Sequence, residues 1–324
     1  MDAYLTLSKR DRSSLEVAAT PFLDEDKAAE DCAKDPEGTV GALQPIASSV
    51  LMKVLYAARL SRFDLLKAVA NLAQKVTKWD KGCDRMLHRL MCYINSSLDL
   101  RLKGHIGDSP KDLVISLYSD ADFAGDKESS KSTSGIFIAL TGPNSFYPLN
   151  AISKKQTCVS HSTPEAEIVA ANAAVRTEGL PALGLWQLVL GRKIDLILLE
   201  DNTATMQVLK SGKNPTMRHL NRTHRVNFAW LSEVFRKCDQ VHIAYCNTNE
   251  QAADLLTKGF TNPLLWERVR SLIGVTPLKD KSNSYGTNSI EGQVDPGTLL
   301  HNVEGKATVK QLAQAKKKAA EATS

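Results

Sequence analysis

The sequence predicts an α/β protein with one mixed β-sheet covered by helices and a small helical layer in front of it. Apolar residues recur at helical spacing between residues 45 and 102, and beyond residue 110 the period changes to two. Three strand-like stretches, one helix and then alternating strands and helices follow, the order expected of a sheet packed by helices.

Composition narrows the function classes. The 324 residues are 43% hydrophobic, 24% charged and 6% aromatic, which excludes collagen-like, wholly disordered and membrane-embedded chains. At roughly 150 residues per domain, the length predicts two folded units plus tails. The longest apolar runs, such as residues 194–199, are far shorter than the roughly 20 residues of a membrane span. Residues 1–14 are too polar for a secretory signal, so no membrane partner is expected. Six cysteines without a C-x-x-C pair indicate reduced thiols in an intracellular protein, cytoplasmic or nuclear, rather than a disulfide scaffold or zinc site. A net charge of +5 permits a polyanionic partner without requiring one.

Residues 1–44 read as an acidic, disordered arm, because residues 24–31 and 34–37 are dense in Asp and Glu. Residues 45–108 read as a helical unit. Its apolar stripes are Val50, Leu51, Val54, Leu55 and Ala58, then Leu65, Leu66, Val69, Leu72 and Ala73, then Met86, Leu87, Leu90, Met91 and Ile94. The turn-rich stretch from Gly104 to Pro110 marks the boundary of a sheet domain over residues 109–275. Strands are expected at residues 113–120, 133–140 and 151–159. Ser162, with Pro164 in the first turn, opens a helix running to about Glu178. A strand at 194–200 ends in Asp201, helices follow at 203–209 and 222–238, then a strand at 241–246 and a helix at 249–258. Residues 276–324 read as a flexible Lys/Ala-rich tail, with Lys316, Lys317 and Lys318 an ordinary charge run.

Acids stand where such a fold can aim them at one point: Asp120 and Asp201 at strand ends, Glu165, Glu167 and Asp254 at helix starts. Converging carboxylates repel one another and raise their own pKa values, which a divalent cation relieves. Oxygen-only donors select Mg²⁺ or Mn²⁺ over zinc, and two such ions suit phosphodiester hydrolysis. Each acid alone is equally a turn or cap residue, and Glu165 can complete a capping box with Ser162. Between Asp201 and Glu233 there is no acid, while Lys210, Lys213, Arg218, Arg222 and Arg225, with His219 and His224, make a basic segment suited to a nucleic-acid backbone. Its plain alternative is a solvated basic face.

Seven segments in order carry a family resemblance: 118–125 (Tyr118 to Gly125), 131–135, 153–156, 162–167, Asp201 with Asn202, 222–224, and 251–258. Together they resemble the ribonuclease H domain of Ty1/copia-type retrotransposon Pol polyproteins, over roughly residues 113–260. Weaker likenesses at residues 61–65 and 86–93 resemble the end of that family's reverse transcriptase, whose paired-aspartate tyrosine motif this chain lacks. The resemblance implies a ribonuclease H-like five-stranded mixed sheet flanked by helices, preceded by a reverse-transcriptase remnant. It implies Asp120, Glu167, Asp201 and Asp254 as catalytic metal ligands, leaving Glu165 for the cap and making Asp122 the rival at the first motif. It implies two Mg²⁺ or Mn²⁺ ions, no small-molecule cofactor, and hydrolysis of the RNA strand of RNA–DNA hybrids; the basic segment, read independently of it, offers Lys210, Lys213, Arg218, Arg222, His224 and Arg225 as the nucleic-acid-binding residues. The rest of a Pol polyprotein is a further expected partner. The alternative is a catalytically inactive retroelement-derived nucleic-acid-binding module. No histidine lies in residues 247–250, so no proton shuttle is assigned, and Glu250 reads as a solvated acid.

Overall fold

A computed structural model of the chain describes residues 2–23, 40–126, 129–214, 217 and 219–278. Helices α1 (Asp2–Ser8), α2 (Gln44–Leu60), α3 (Leu66–Ala73) and α4 (Lys81–Ser96) form a helical layer. Its stripes are those the periodicity marks, since Val50, Leu51, Val69, Leu72, Leu87, Leu90 and Met91 are buried. Asp80 caps α4 by accepting a hydrogen bond from the Cys83 amide. Residues 2–23 differ from the expected arm. Tyr4, Leu15 and Ala18 are buried in this layer, and the Tyr4 hydroxyl meets His88 Nδ1 at 3.0 Å. The reason is composition, because most of the acids lie in residues 24–37 and the earlier stretch has apolar side chains to bury. Those acidic runs, residues 24–31 and 34–37, and nearly all of the expected tail lie outside the described residues.

After β1 (Leu100–Leu102) comes an antiparallel meander of β2 (Val114–Asp122), β3 (Thr133–Gly142) and β4 (Ser145–Lys155). The third strand begins earlier than expected and ends at Lys155. Phe146 stacks on Phe137 across the pair, and Pro148 is tolerated because β4 is an edge strand with a register shift opposite it. The chain continues through α5 (Thr163–Ala173), a π-turn (Ala174–Gly179) and α6 (Leu180–Leu190). The helix opened by Ser162 thus runs well past Glu178, until Gly191 at φ +63° stops it.

Strand β5 (Leu196–Glu200), helices α7 (Thr203–Ser211), α8 (Leu220–Thr223) and α9 (Phe228–Lys237), and β6 (Val241–Tyr245) complete the sheet, in order β4-β3-β2-β5-β6. Strand β5 is parallel to both β2 and β6. The helix expected over 222–238 is broken, because Arg225 turns the backbone to φ +56° and Asn227 caps a fresh start at α9. Two 3₁₀ turns, Thr248–Glu250 and Ala252–Leu256, replace the helix expected at 249–258. Helix α10 (Pro263–Leu272) and β7 (Val275–Pro277), which the sequence reading missed, return the chain to the helical layer, with β7 antiparallel to β1.

The sheet is buried on both faces. Ile115, Leu117, Ile136, Ile138, Leu196 and Leu198 meet α5, α7 and α9, whereas Phe137 and Ala139 join the helical layer and α10 in one continuous core. Within that core Arg62 holds Asp64 through two hydrogen bonds of 2.8–2.9 Å, Tyr93 donates to Asp64 at 2.8 Å, and Trp266 of α10 donates to Tyr93 at 3.1 Å. Asp64 of the upstream segment 61–65 is therefore a buried anchor that links the helical layer, through Tyr93, to α10. No helix among the described residues is long and apolar enough to cross a membrane.

Candidate active site

Four elements deliver the four predicted acids to one end of the sheet. Asp120 lies near the end of β2, and Asp201 follows β5, which is parallel to it. Glu167 comes from the first turns of α5, which approaches closely because only Ala166 and Ala170 meet Ala121. Ser162 starts that helix by accepting from the Glu165 amide at 3.3 Å, and Gln156 fixes it to β3 by donating to Ser134 Oγ and the Ala166 carbonyl. Asp254 arrives on the 3₁₀ turn. That turn lies flat on β3 at Gly135, where a Cβ would stand 2.7 Å from the Ala253 carbonyl oxygen. Gln251 ties the turn down by donating to the Ser119 carbonyl at 3.1 Å.

The cluster is strongly acidic and buried except at Asp201, which is half-buried. Asp120, Glu167 and Asp254 are 3%, 4% and 7% exposed. Burial, then repulsion from Asp120, Glu200 and Asp201, pushes the Glu167 carboxyl up to about 11. Burial and Asp120 push Asp254 up to about 7, against the opposing pull of Lys258. Asp120 is raised by burial, with Lys258 and Thr257 opposing. Glu167 Oε2 is buried and has no hydrogen-bond partner among the described residues. Such an orphaned oxygen in an all-carboxylate, hard-donor set fits a divalent cation. Among the described residues, however, no three His, Cys, Asp or Glu side chains stand where they could hold a metal ion as they are. Two of the four carboxylates are otherwise engaged. Lys258 Nζ lies 2.6 Å from Asp254 Oδ1 and 3.9 Å from Asp120 Oδ2, and the Thr257 hydroxyl donates to Asp120.

Other acids find distinct places. Asp122, the rival at the first motif, pairs with Lys67 at 3.2 Å and accepts from the Thr133 amide. Glu165 does start the helix, but its carboxylate does not close a capping box on Ser162. It accepts from the His161 amide and meets His219 Nε2 at 3.2 Å and His224 Nε2 at 3.4 Å. The His224 side chain, read from the sequence as a nucleic-acid contact, is only 1% exposed and is turned inward onto the buried Glu165 carboxylate. Lys210, Lys213, Arg222 and Arg225 are exposed, and Arg218 lies outside the described residues. The sequence reading gave no role to Glu200, Thr257 or Lys258. Glu200 is fully buried beside Asp201 and accepts from Ser119 Oγ at 3.2 Å and the Asn202 amide at 3.3 Å. The only sequence signal was adjacency to the acids.

No protein-family model matches the chain. It is 27% identical over 216 residues to the retrovirus-related Pol polyprotein from transposon TNT 1-94 of Nicotiana tabacum, covering 65% of this chain and 15% of that protein. It is 25% identical over 240 residues to the corresponding polyprotein from transposon RE1 of Arabidopsis thaliana, covering 74% of this chain and 15% of that one. It is also 32% identical over 128 residues to secreted RxLR effector protein 161 of Plasmopara viticola, covering 40% of this chain and 85% of that protein. The chain thus spans about 15% of the length of the Pol polyproteins it matches. Among solved structures, LC11-RNase H1 isolated from compost aligns at TM-score 0.29 and 16% identity over 44% of this chain and 92% of that one. The foamy viral protease-reverse transcriptase in complex with RNA/DNA hybrid aligns at TM-score 0.30 and 14% identity, over 49% of this chain and 21% of that one. The five-stranded mixed sheet is the architecture that the motif resemblance implied. With the motif order and 25–27% identity over 65–74% of its length, the chain is similar to Ty1/copia-type retrotransposon Pol polyproteins across a domain with the five-stranded mixed sheet of a ribonuclease H-like fold.

Proposed function

We propose that this domain hydrolyses the RNA strand of RNA–DNA hybrids with the help of divalent cations, Mg²⁺ or Mn²⁺. The observation that carries the reading is that carboxylates from four elements act on one another through their charge, with the orphaned, buried Glu167 Oε2 among them. Such an arrangement costs stability unless a cation is shared. Asp120, Glu167, Asp201 and Asp254 would hold two ions, which when bound supply water activation and charge stabilisation at the phosphodiester. The chain's own residues do the positioning. Thr257 orients Asp120 through its hydroxyl, and Gln251 and Gly135 seat the turn that bears Asp254. Asn202 caps α7 by accepting from the Thr205 amide, which fixes the backbone after Asp201. Lys210, Lys213, Arg222 and Arg225 offer exposed charge to a nucleic-acid backbone, the sequence-independent part of binding. The helical layer of residues 44–96 stands for the end of the family's reverse transcriptase, and the remainder of a Pol polyprotein is the partner it would meet.

A second reading, a binding module without catalysis, is favoured by one observation. The acids do not stand in a metal-holding geometry as they are, and Lys258 is engaged with two of them. Cleavage of a labelled RNA–DNA hybrid separates the two. With Mg²⁺ or Mn²⁺ the RNA strand is expected to be cut, with EDTA it is not, and Asp201→Asn lowers the rate by at least about a hundredfold. Salt-dependent hybrid binding without cutting by folded protein in either metal establishes the binding module instead.

A further inference from the structure

The acid cluster is served asymmetrically. The Lys258 ammonium lies between Asp254 Oδ1 at 2.6 Å and Asp120 Oδ2 at 3.9 Å. Glu167 Oε2, by contrast, is buried with no donor among the described residues. An exposed i,i+4 Lys–Asp pair is ordinarily worth little. This one differs because its second carboxylate, Asp120, is 3% exposed and sits among further acids, so the ammonium is the positive charge nearest to that pair. It reaches them from a backbone held at the end of the 3₁₀ turn, where the Lys258 amide donates to the Asp254 carbonyl at 3.0 Å. The Lys258 side chain is 42% exposed, which leaves it a path to solvent.

We propose that Lys258 is a resident counter-cation of the cluster, so that a divalent ion shared by Asp120 and Asp254 binds only by displacing its ammonium. An ion held at Glu167 meets no such competitor. This rests on the metal-dependent reading above and adds an order to it. The two ions bind with unequal affinity, and the weaker one is set by a side chain of the protein rather than by the number of carboxylates.

The test counts Mn²⁺ bound to the full chain from the electron paramagnetic resonance signal of the free ion, for wild type, Lys258→Met and Lys258→Arg. Wild type is expected to show one tight and one weak class of site. Lys258→Met tightens the weak class by roughly tenfold, whereas Lys258→Arg, which keeps the charge, leaves it weak. The metal-free thermal midpoint of Lys258→Met falls at the same time, since its acids lose their counter-charge. Two ions of equal affinity in wild type overturn the proposal, as does a weak class that Lys258→Met leaves unchanged; both results leave the metal-dependent reading intact. Weakening of both classes in Lys258→Met marks the lysine as structural and also overturns it. No Mn²⁺ bound by any of the three proteins removes the metal-dependent reading and this proposal together.

Discussion

At the scale of single residues, Glu167 concentrates the physical problem of the site. Its carboxyl is pushed up to about 11 by burial and by three neighbouring acids, so at neutral pH the folded protein holds a proton that the unfolded chain has already released in the ordinary carboxylate range. Glu167→Gln removes that cost while keeping shape. The metal-free thermal midpoint of Glu167→Gln is expected to rise, by about 1–3 kcal/mol of stability, and its gain from added Mg²⁺ to shrink. A thermal scan with and without Mg²⁺ checks both, and a lowered metal-free midpoint would refute the account. Glu165, two residues away, shows how far a local motif can mislead. Sequence spacing assigns it to a cap, whereas folding brings His219 and His224 onto its carboxylate from a segment more than fifty positions later.

At the scale of elements, the site depends on how closely two pieces approach. Helix α5 nears β2 through Ala166 and Ala170, and the 3₁₀ turn carrying Asp254 nears β3 through Gly135. In Gly135→Ala the added methyl would meet the Ala253 carbonyl and Thr257 Cγ2, both at 2.7 Å. That substitution is expected to cost about 1–3 kcal/mol and to lower hybrid cleavage further than the stability loss explains, because Asp254 and Lys258 shift with the turn. Denaturant unfolding alongside cleavage rates on folded protein measures the two effects. The same turn was expected as an α-helix. Gln251, drawn in to the Ser119 carbonyl, and a turn pressed flat onto the strand favour the tighter 3₁₀ form over a regular helix.

At the scale of the whole molecule, the helical layer, one face of the sheet and α10 share a continuous core, so the acids sit on a single packed body. Their summed repulsion has a pH signature. Asp120, Glu167, Glu200 and Asp254 are all raised above their ordinary values, and the folded protein therefore binds more protons than the unfolded chain. Stability from this source is complete below the ordinary carboxylate range, near 4, and falls as pH rises through Asp254 at about 7. Metal-free midpoints are expected to drop between about pH 5 and 8, less so in Asp254→Asn. The stabilisation by Mg²⁺ grows over the same window, because ions bind the deprotonated acids. Thermal scans across that range, with and without Mg²⁺, measure both; a flat metal-free profile would contradict the clustering of charge.

The sequence by itself determined the three helical stripes, most of the period-two strands, the resemblance to Pol polyproteins and the positions of four acids at strand and helix ends, because periodicity and motif order are local properties written in side-chain type. It missed α10 and β7 and the burial of residues 2–23, whose places depend on Trp266 and Tyr4 finding a core built by distant segments. Only the tertiary structure decided that Asp122 belongs to Lys67, that Glu165 belongs to two histidines, and that Lys258 stands between Asp120 and Asp254. The physical reason is common to all three. A charge in a buried site is assigned its partner by desolvation and distance across the fold, quantities that spacing along the chain does not contain.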